Sequence, residues 1–428
     1  MRKGILFLLA VSALLTVTAA GCSKNKGNFS DEAGNSTLKG KVKIRFYEST
    51  DVEQISKDIV SSFNAGQDDI EVELSVIPND DYDDKIKTLL AGGGDMVDVF
   101  YLRQLSQAKQ YEANKITKDL SPYLKNTTLD ISRFGSTLSI VQDKNGQTYA
   151  FPRAKNNWYL FYNKKIFDDE GIPYPSQLSW KEYAGLAAKL TKVKKDGQKQ
   201  WGGYFPPWTL NLYALQSGEH LTDDDLSHTK EALEFLNRIY NVDKSHMGTA
   251  EMTATASNPN PEFESGNVAM MINGDWTFLL LGQDEKNKSF GFDWDMAPLP
   301  VPDGVPSGVT VGSFSYMAVN AQSKHADAAW KFIEYYCGLP GAVIFAKHGS
   351  CPAYMSNDVS DEYVKSTGHQ SASLIFKGNT YCEENENPYY KEIRKIFDED
   401  SNLYLLGDDS IDDCMKKFEQ QRKEVLSR

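Results

Sequence analysis

The chain alternates between two hydrophobic periods, and that alternation lays out its elements. Val42, Ile44 and Phe46 are apolar at every second position between Lys41, Lys43 and Arg45. This is the period of a half-buried strand, and it runs into a polar loop at Tyr47-Glu48-Ser49-Thr50. Ile55, Ile59, Val60 and Phe63 then recur at helical spacing, and Ile70, Val72, Leu74 and Val76 return to period two. Asp80 to Leu90 reads as a helix with Asp80, Asp81, Asp83 and Asp84 in its first turn and Lys85 and Lys87 after them. Acid early and base late suits the helix dipole, so these aspartates are read as capping groups and not as a metal site. Gly92-Gly93-Gly94 ends the helix ahead of a short apolar strand, Met96 to Tyr101. Glycines that follow a helix and precede a strand are in the wrong place for a phosphate loop. The order strand, helix, strand, helix, strand predicts an α/β fold with a parallel sheet and covering helices.

Farther along, Tyr149-Ala150-Phe151-Pro152 predicts the end of one strand and Trp158 to Tyr162 a second, aromatic one. The polar Arg153 to Asn157 between them reads as a short crossing between two bodies. Pro173 and Pro175 precede Ser179-Trp180-Lys181-Glu182, a capping arrangement that opens a helix through Leu190. Ala326 to Cys337 is amphipathic on Ala329, Trp330, Ile333 and Tyr336. No repeat of fixed period runs through the chain.

Length and composition narrow the function classes. At 428 residues, 40% hydrophobic and 25% charged, the chain is globular and long enough for two domains. Its 46 basic and 59 acidic residues give a net charge of -13, which argues against nucleic acid as a partner because phosphate contacts need clustered Lys and Arg. At the N-terminus, Arg2 and Lys3 precede an apolar run from Ile5 to Ala20 that ends in Ala19-Ala20-Gly21-Cys22. The run is short for a membrane span and reads as an export signal. It resembles a bacterial lipoprotein signal, with Ala19 where Leu is usual; the resemblance implies cleavage after residue 21 and acylation of Cys22. Loss of Arg2 and Lys3 takes the charge from -13 to -15. Residues 22–40, rich in Ser, Asn, Gly and Lys, read as a flexible tether reaching roughly 20 Å or more. A lipid-anchored protein facing the extracellular or periplasmic side is expected.

A set of motifs then carries a family resemblance. Leu160-Phe161-Tyr162-Asn163-Lys164-Lys165-Ile166-Phe167, Gly171-Ile172-Pro173, Ser179-Trp180-Lys181-Glu182-Tyr183, Gly274-Asp275-Trp276, Met296-Ala297-Pro298-Leu299-Pro300, Val311-Gly312-Ser313 and Ser323 to Ile333 stand in this order. Together they resemble the extracellular solute-binding proteins of carbohydrate family 1, the maltose-binding type that serves ABC importers. The resemblance spans Val42 to about Lys417. It implies a two-lobed α/β fold of the periplasmic-binding-protein kind, with a ligand cleft and three crossings, near 154–157, 298–302 and 336–338. Lobe one would comprise 41–153 plus 303–335, and lobe two 154–302 plus 336–428. A hinge between them would close on a ligand that touches both. A monomer without a cofactor is expected, working with the importer's membrane subunits.

A sugar cleft wants flat aromatic faces for C–H surfaces and polar groups for hydroxyls, and 12% aromatic residues fit that need. Trp276 follows Asn273-Gly274-Asp275 at a strand end, where the family commonly places a stacking ring. Trp208 in Pro206-Pro207-Trp208-Thr209 stands in a loop, and Trp158 borders the crossing. Trp180, Trp330, Trp201 and Trp294 are assigned to packing. Polar candidates lie at strand ends, where open α/β sheets take ligands: Glu48, Ser49, Asp98 and Tyr101. Gly312 and Ser313 offer close backbone approach, and Arg153 and Lys155 lie at the crossing. Tyr354 sits where the family often brings a loop near the cleft.

Cys337, Cys351, Cys382 and Cys414 allow three pairings, of which Cys337 with Cys351 is preferred; free buried thiols are the alternative. The six histidines show no metal spacing. The rival readings are a surface sensor or adhesion module of the same fold, and a polysaccharide-degrading enzyme. Carboxylates such as Asp80, Asp81, Asp98 and Asp275 are available to an enzyme, but neither GxSxG nor HExxH is present.

Overall fold

The period-two segments near the N-terminus form three parallel strands. The computed structural model describes residues 40–94, 96–286 and 290–428, so the export signal, Cys22 and nearly all of the tether lie outside the described residues. β1 (Val42–Ser49) pairs in parallel with β2 (Ile70–Ile77), Val42 opposite Ile70, and with β3 (Val99–Leu102), Phe46 opposite Val99. Helix Glu53–Gly66 crosses between β1 and β2 and buries Ile55, Ile59, Val60 and Phe63, the residues its spacing singles out. On its inner side Phe63 meets Phe332 edge to face, and Phe332 in turn meets Phe46.

The acidic turn behaves differently from the expectation. The α-helix starts at Tyr82, after a 3-10 turn at Asn79–Asp81, and the Asp81 side chain makes no capping hydrogen bond. Asp83 instead accepts from Arg103 Nε at 3.3 Å and Gln107 at 3.2 Å. Among the described residues no cluster of His, Cys, Asp or Glu could hold a metal ion.

Two long strands organise the rest. β4 (Phe151–Asn163) continues through Arg153 to Asn157, where the sequence suggested a loop between two strands. The polar residues are tolerated because the strand is buried on both sides and their side chains find interior partners. With β5 (Lys192–Val193) and β6 (Lys199–Gln200) forming a small separate hairpin, the remaining strands are β7 (Met270–Gly274), β8 (Trp294–Ala297), β9 (Val309–Val319) and β10 (Asn379–Cys382). The main sheet runs β2-β1-β3-β9-β4-β7, with β8 also on β4 and β10 also on β9. Residues 151–157 of β4 pair antiparallel with β9, with an irregularity between Pro152 and Ala154. From Trp158 onward β4 pairs with β7 and β8. β9 likewise reaches from β10 to β3. Two groups of strands therefore share β4 and β9 as their connection.

Ser179 caps helix Trp180–Leu190 reciprocally with Glu182, as its sequence predicts. The preferred Cys337–Cys351 bridge is absent: Cys337, Cys351, Cys382 and Cys414 are all free and buried. Cys337 ends a helix and Cys351 lies in a loop beside β4, each enclosed in its own packing. Among the described residues, no helix is long and apolar enough to cross a membrane.

Candidate ligand cleft

The loops after β1, β2 and β3 lie at the carboxyl ends of parallel strands, the usual ligand side of an open α/β sheet. Arg103, the residue after β3, ties them together. Its Nη2 donates to Asn79 O at 2.7 Å, its Nη1 lies 3.5 Å from Asp51, and its Nε 3.3 Å from Asp83. Ser49 caps the turn after β1, and its hydroxyl donates to Asn79 Oδ1 at 3.2 Å. An opening of about 410 Å³ sits here, lined by Thr50 to Ile55, Lys57, His348 and Leu279. Leu279 belongs to helix Thr277–Lys286, which begins one residue after Trp276, so the opening joins the β1 end to the Trp276 region.

Glu48, Tyr101 and Arg153 do converge, but in the interior. Arg153 Nη1 lies 2.8 Å from Glu48 Oε2, with both side chains buried, and its guanidinium stands 4.1 Å over the Tyr101 ring. Glu48 also accepts from Ser49 N at 2.8 Å and Tyr336 OH at 3.3 Å. Burial pushes the Glu48 carboxyl up while Arg153 opposes the rise; burial also pushes Tyr101 up to about 12. This pair clamps β1 to β4 beneath the opening.

The tryptophans form a second constellation. β7 ends at Gly274, and a Cβ there would stand 1.9 Å from the Trp276 ring, so glycine lets the indole fold back over the strand end. Trp276 is half-buried and meets Trp158 edge to face at 5.1 Å. The Trp158 indole N–H donates to Glu383, and the Tyr390 hydroxyl donates to Glu383 O at 2.5 Å. Beneath Trp276, Asp275 accepts from Asn157 N at 3.1 Å. Burial pushes Asp275 up to about 7, against the pull of the Asn157 N–H, Lys155 and the Trp276 N–H. Ser313 lies opposite Asn156 across β4 and β9. Alternation along β4 puts that pair on the same face as Trp158.

The other candidates are placed apart. Gly312 pairs with Asn157, and a Cβ on it would meet Asn156 O at 2.5 Å; it serves close strand contact and leaves no gap for a ligand. Asp98 lies just before β3, at the opposite end from Tyr101, and accepts from Arg45 N at 2.9 Å and from the Ser323 hydroxyl. Tyr354 is buried edge to face on Phe134. Trp208 is 44% exposed on its loop, whose carbonyl accepts from Arg394 at 2.5 Å. Arg394 also contributes to the field at Glu383, and so links that loop to the Trp158 constellation.

Sequence reasoning missed Arg103, Asn156, Glu383, Glu384 and Arg394. Glu384 accepts from Ser106 N at 2.8 Å, so Glu383-Glu384 spans from the helix after β3 to Trp158. The available signal was an acidic pair directly after the short strand Asn379–Cys382. The arrangement offers ring surface, a carboxylate and guanidinium groups, which suits recognition of a polar molecule with apolar faces.

The model of the bacterial extracellular solute-binding proteins matches residues 48–338. A multiple sugar-binding protein from Streptococcus mutans is 22% identical over 77% of both chains. A maltotriose-binding protein from Pyrococcus abyssi is 23% identical over 68% of this chain and 61% of that one. Among solved structures, a sugar transporter from Rhizobium etli in an open conformation superposes with a TM-score of 0.82, at 25% identity over 89% of this chain and 99% of that one. A Listeria monocytogenes ABC substrate-binding protein in complex with cycloalternan gives 0.75, at 22% identity over 90% and 99%. The mixed α/β architecture is that of the two-lobed maltose-binding type. The chain belongs to the bacterial extracellular solute-binding protein family.

Proposed function

We propose that this protein captures a carbohydrate, an oligosaccharide by expectation, and delivers it to an ABC importer without chemically changing it. The observation that carries the reading is the Trp276–Trp158 pair with Glu383 hydrogen-bonded to the Trp158 indole. Apolar ring surface next to a carboxylate matches the two-sided chemistry of a sugar, whose C–H face stacks and whose hydroxyls need acceptors. The names of the Streptococcus and Pyrococcus relatives and the cycloalternan held by the Listeria neighbour support the same ligand class. Trp276, Asn156, Ser313 and Glu383 are proposed on one side of the cleft, with Arg103 and the Thr50 turn on the other; Trp208 borders it, and the buried Trp158 and Ser49 hold these groups from behind. Glu48, Tyr101 and Arg153 support from below.

The proposed lobes are 41–153 with 303–335, and 154–302 with 336–428, swinging about β4 and β9. Residues 1–21 are proposed as an export signal, Cys22 as the lipid-bearing residue and 22–40 as the tether that holds the protein outside the membrane. Calorimetry of the soluble chain against a panel of mono- and oligosaccharides tests the reading. It should find a binder near micromolar, about -8 kcal/mol. A blank panel, or consumption of the sugar by the purified protein, overturns it.

A further inference from the structure

From Ala154 onward β4 turns successive side chains to opposite faces. Asn156 and Trp158 share one face with Trp276, whereas Lys155 points to the other. On that reverse side lies a cavity of about 610 Å³. Lys155, Arg133, Phe314, Met355, Phe376 and Tyr381 are among its walls, and among the described residues no Asp or Glu lines it. In a chain of net charge -13 this is an unusual pocket.

Lys155 is 7% exposed, and among the described residues its ammonium makes a single hydrogen bond, to Ile375 O at 3.3 Å. An ammonium carries three donors, and a buried cation with donors unfilled is costly. Asp275 feels the Lys155 charge but lies outside the cavity wall and forms no ion pair with it within 4.0 Å. Arg133 is exposed at the rim, where its Nε holds Asp130 at 2.9 Å. Phe314 is buried directly opposite Lys155 in the β4–β9 register, and Phe376 and Met355 are half-buried.

We propose that this cavity is a second ligand site, taking a small organic carboxylate whose charged end meets Lys155 at the base and Arg133 at the rim. Its ring or apolar body lies on Phe314, Phe376 and Met355. A bare inorganic anion would leave those apolar walls wet, and a neutral sugar would leave Lys155 without a countercharge. The site is independent of the carbohydrate reading, because it uses the opposite face of β4.

The test titrates benzoate, benzamide and inorganic phosphate into the purified chain, followed by calorimetry and by the thermal midpoint, which a bound ligand raises by mass action. Benzoate should bind at millimolar concentration or tighter, with benzamide and phosphate each weaker by about tenfold or more. Lys155→Met should abolish benzoate binding, and Arg133→Gln should weaken it about threefold. Arg133→Gln changes an exposed residue and keeps the test open should Lys155→Met not fold. Equal binding of benzoate and benzamide, phosphate as tight as benzoate, wild-type affinity in either variant, or no binding at all overturns the proposal.

Discussion

Replacing Arg153 by Met tests the clamp beneath the cleft. The Arg153–Glu48 pair is 2.8 Å long, with side-chain exposures of 4% and 0%. At an effective dielectric constant of about 20, such a pair carries roughly 6 kcal/mol of Coulomb attraction before desolvation offsets it. Glu48 would retain Ser49 N at 2.8 Å and Tyr336 OH at 3.3 Å, which temper the loss. Stranding a buried charge this way costs about 3–5 kcal/mol, and the cation over Tyr101 is lost as well. Urea unfolding followed by circular dichroism reads the change. Without its guanidinium partner, the folded-state pKa of Glu48 rises farther above its unfolded value. Protonation then favours the folded chain at low pH, and that support disappears as pH rises through the folded pKa. The deficit against wild type should therefore widen as pH rises above the ordinary glutamate range. Adding Glu48→Gln should recover part of it, since the stranded charge is gone. A loss below about 1 kcal/mol, a deficit independent of pH, or no recovery in the double variant would refute the clamp.

Three further outcomes follow from the geometry. Gly274→Ala puts a Cβ 1.9 Å from the Trp276 ring and should displace the indole, lowering stability by about 1–3 kcal/mol and weakening sugar binding together; unaltered calorimetry would show that the ring's position is unimportant. Asp275, pushed up to about 7 by burial, supports folding below its unfolded pKa and loses that support as pH rises through about 7. Asp275→Asn should thus gain stability relative to wild type between about pH 5 and about pH 8, read from urea midpoints, and a constant difference would contradict the buried carboxyl. Thiol titration of a chain lacking Cys22 should find the four cysteines unreactive when folded and all four reactive after unfolding without reductant; two or fewer would reveal a bridge.

What the sequence made legible was local. The three parallel strands, the helix on Ile55, Ile59, Val60 and Phe63, and the Ser179–Glu182 cap depend on neighbours close in the chain. Trp276 could be picked out because Asn273-Gly274-Asp275 marks a strand end. β4 was misread as two strands since Arg153, Lys155 and Asn157 are polar, and the partners that let them be buried lie far away: Glu48, Ile375 and Thr380. For the same reason Glu383 escaped notice. Its contact with Trp158 joins positions 225 apart in sequence, and no periodicity announces it. Asp98 misled in the other direction, since strand membership alone does not tell which end of β3 a carboxylate occupies.

The most direct measurement is a parallel calorimetric titration of wild type and Trp276→Ala with the sugar that binds best. A sugar ring covering about 60 Å² of indole, at about 25 cal/mol per Å², gains ~1.5 kcal/mol. The variant should therefore bind about tenfold more weakly or worse, while its unliganded thermal midpoint stays close to wild type. Identical affinities would contradict the account at its centre.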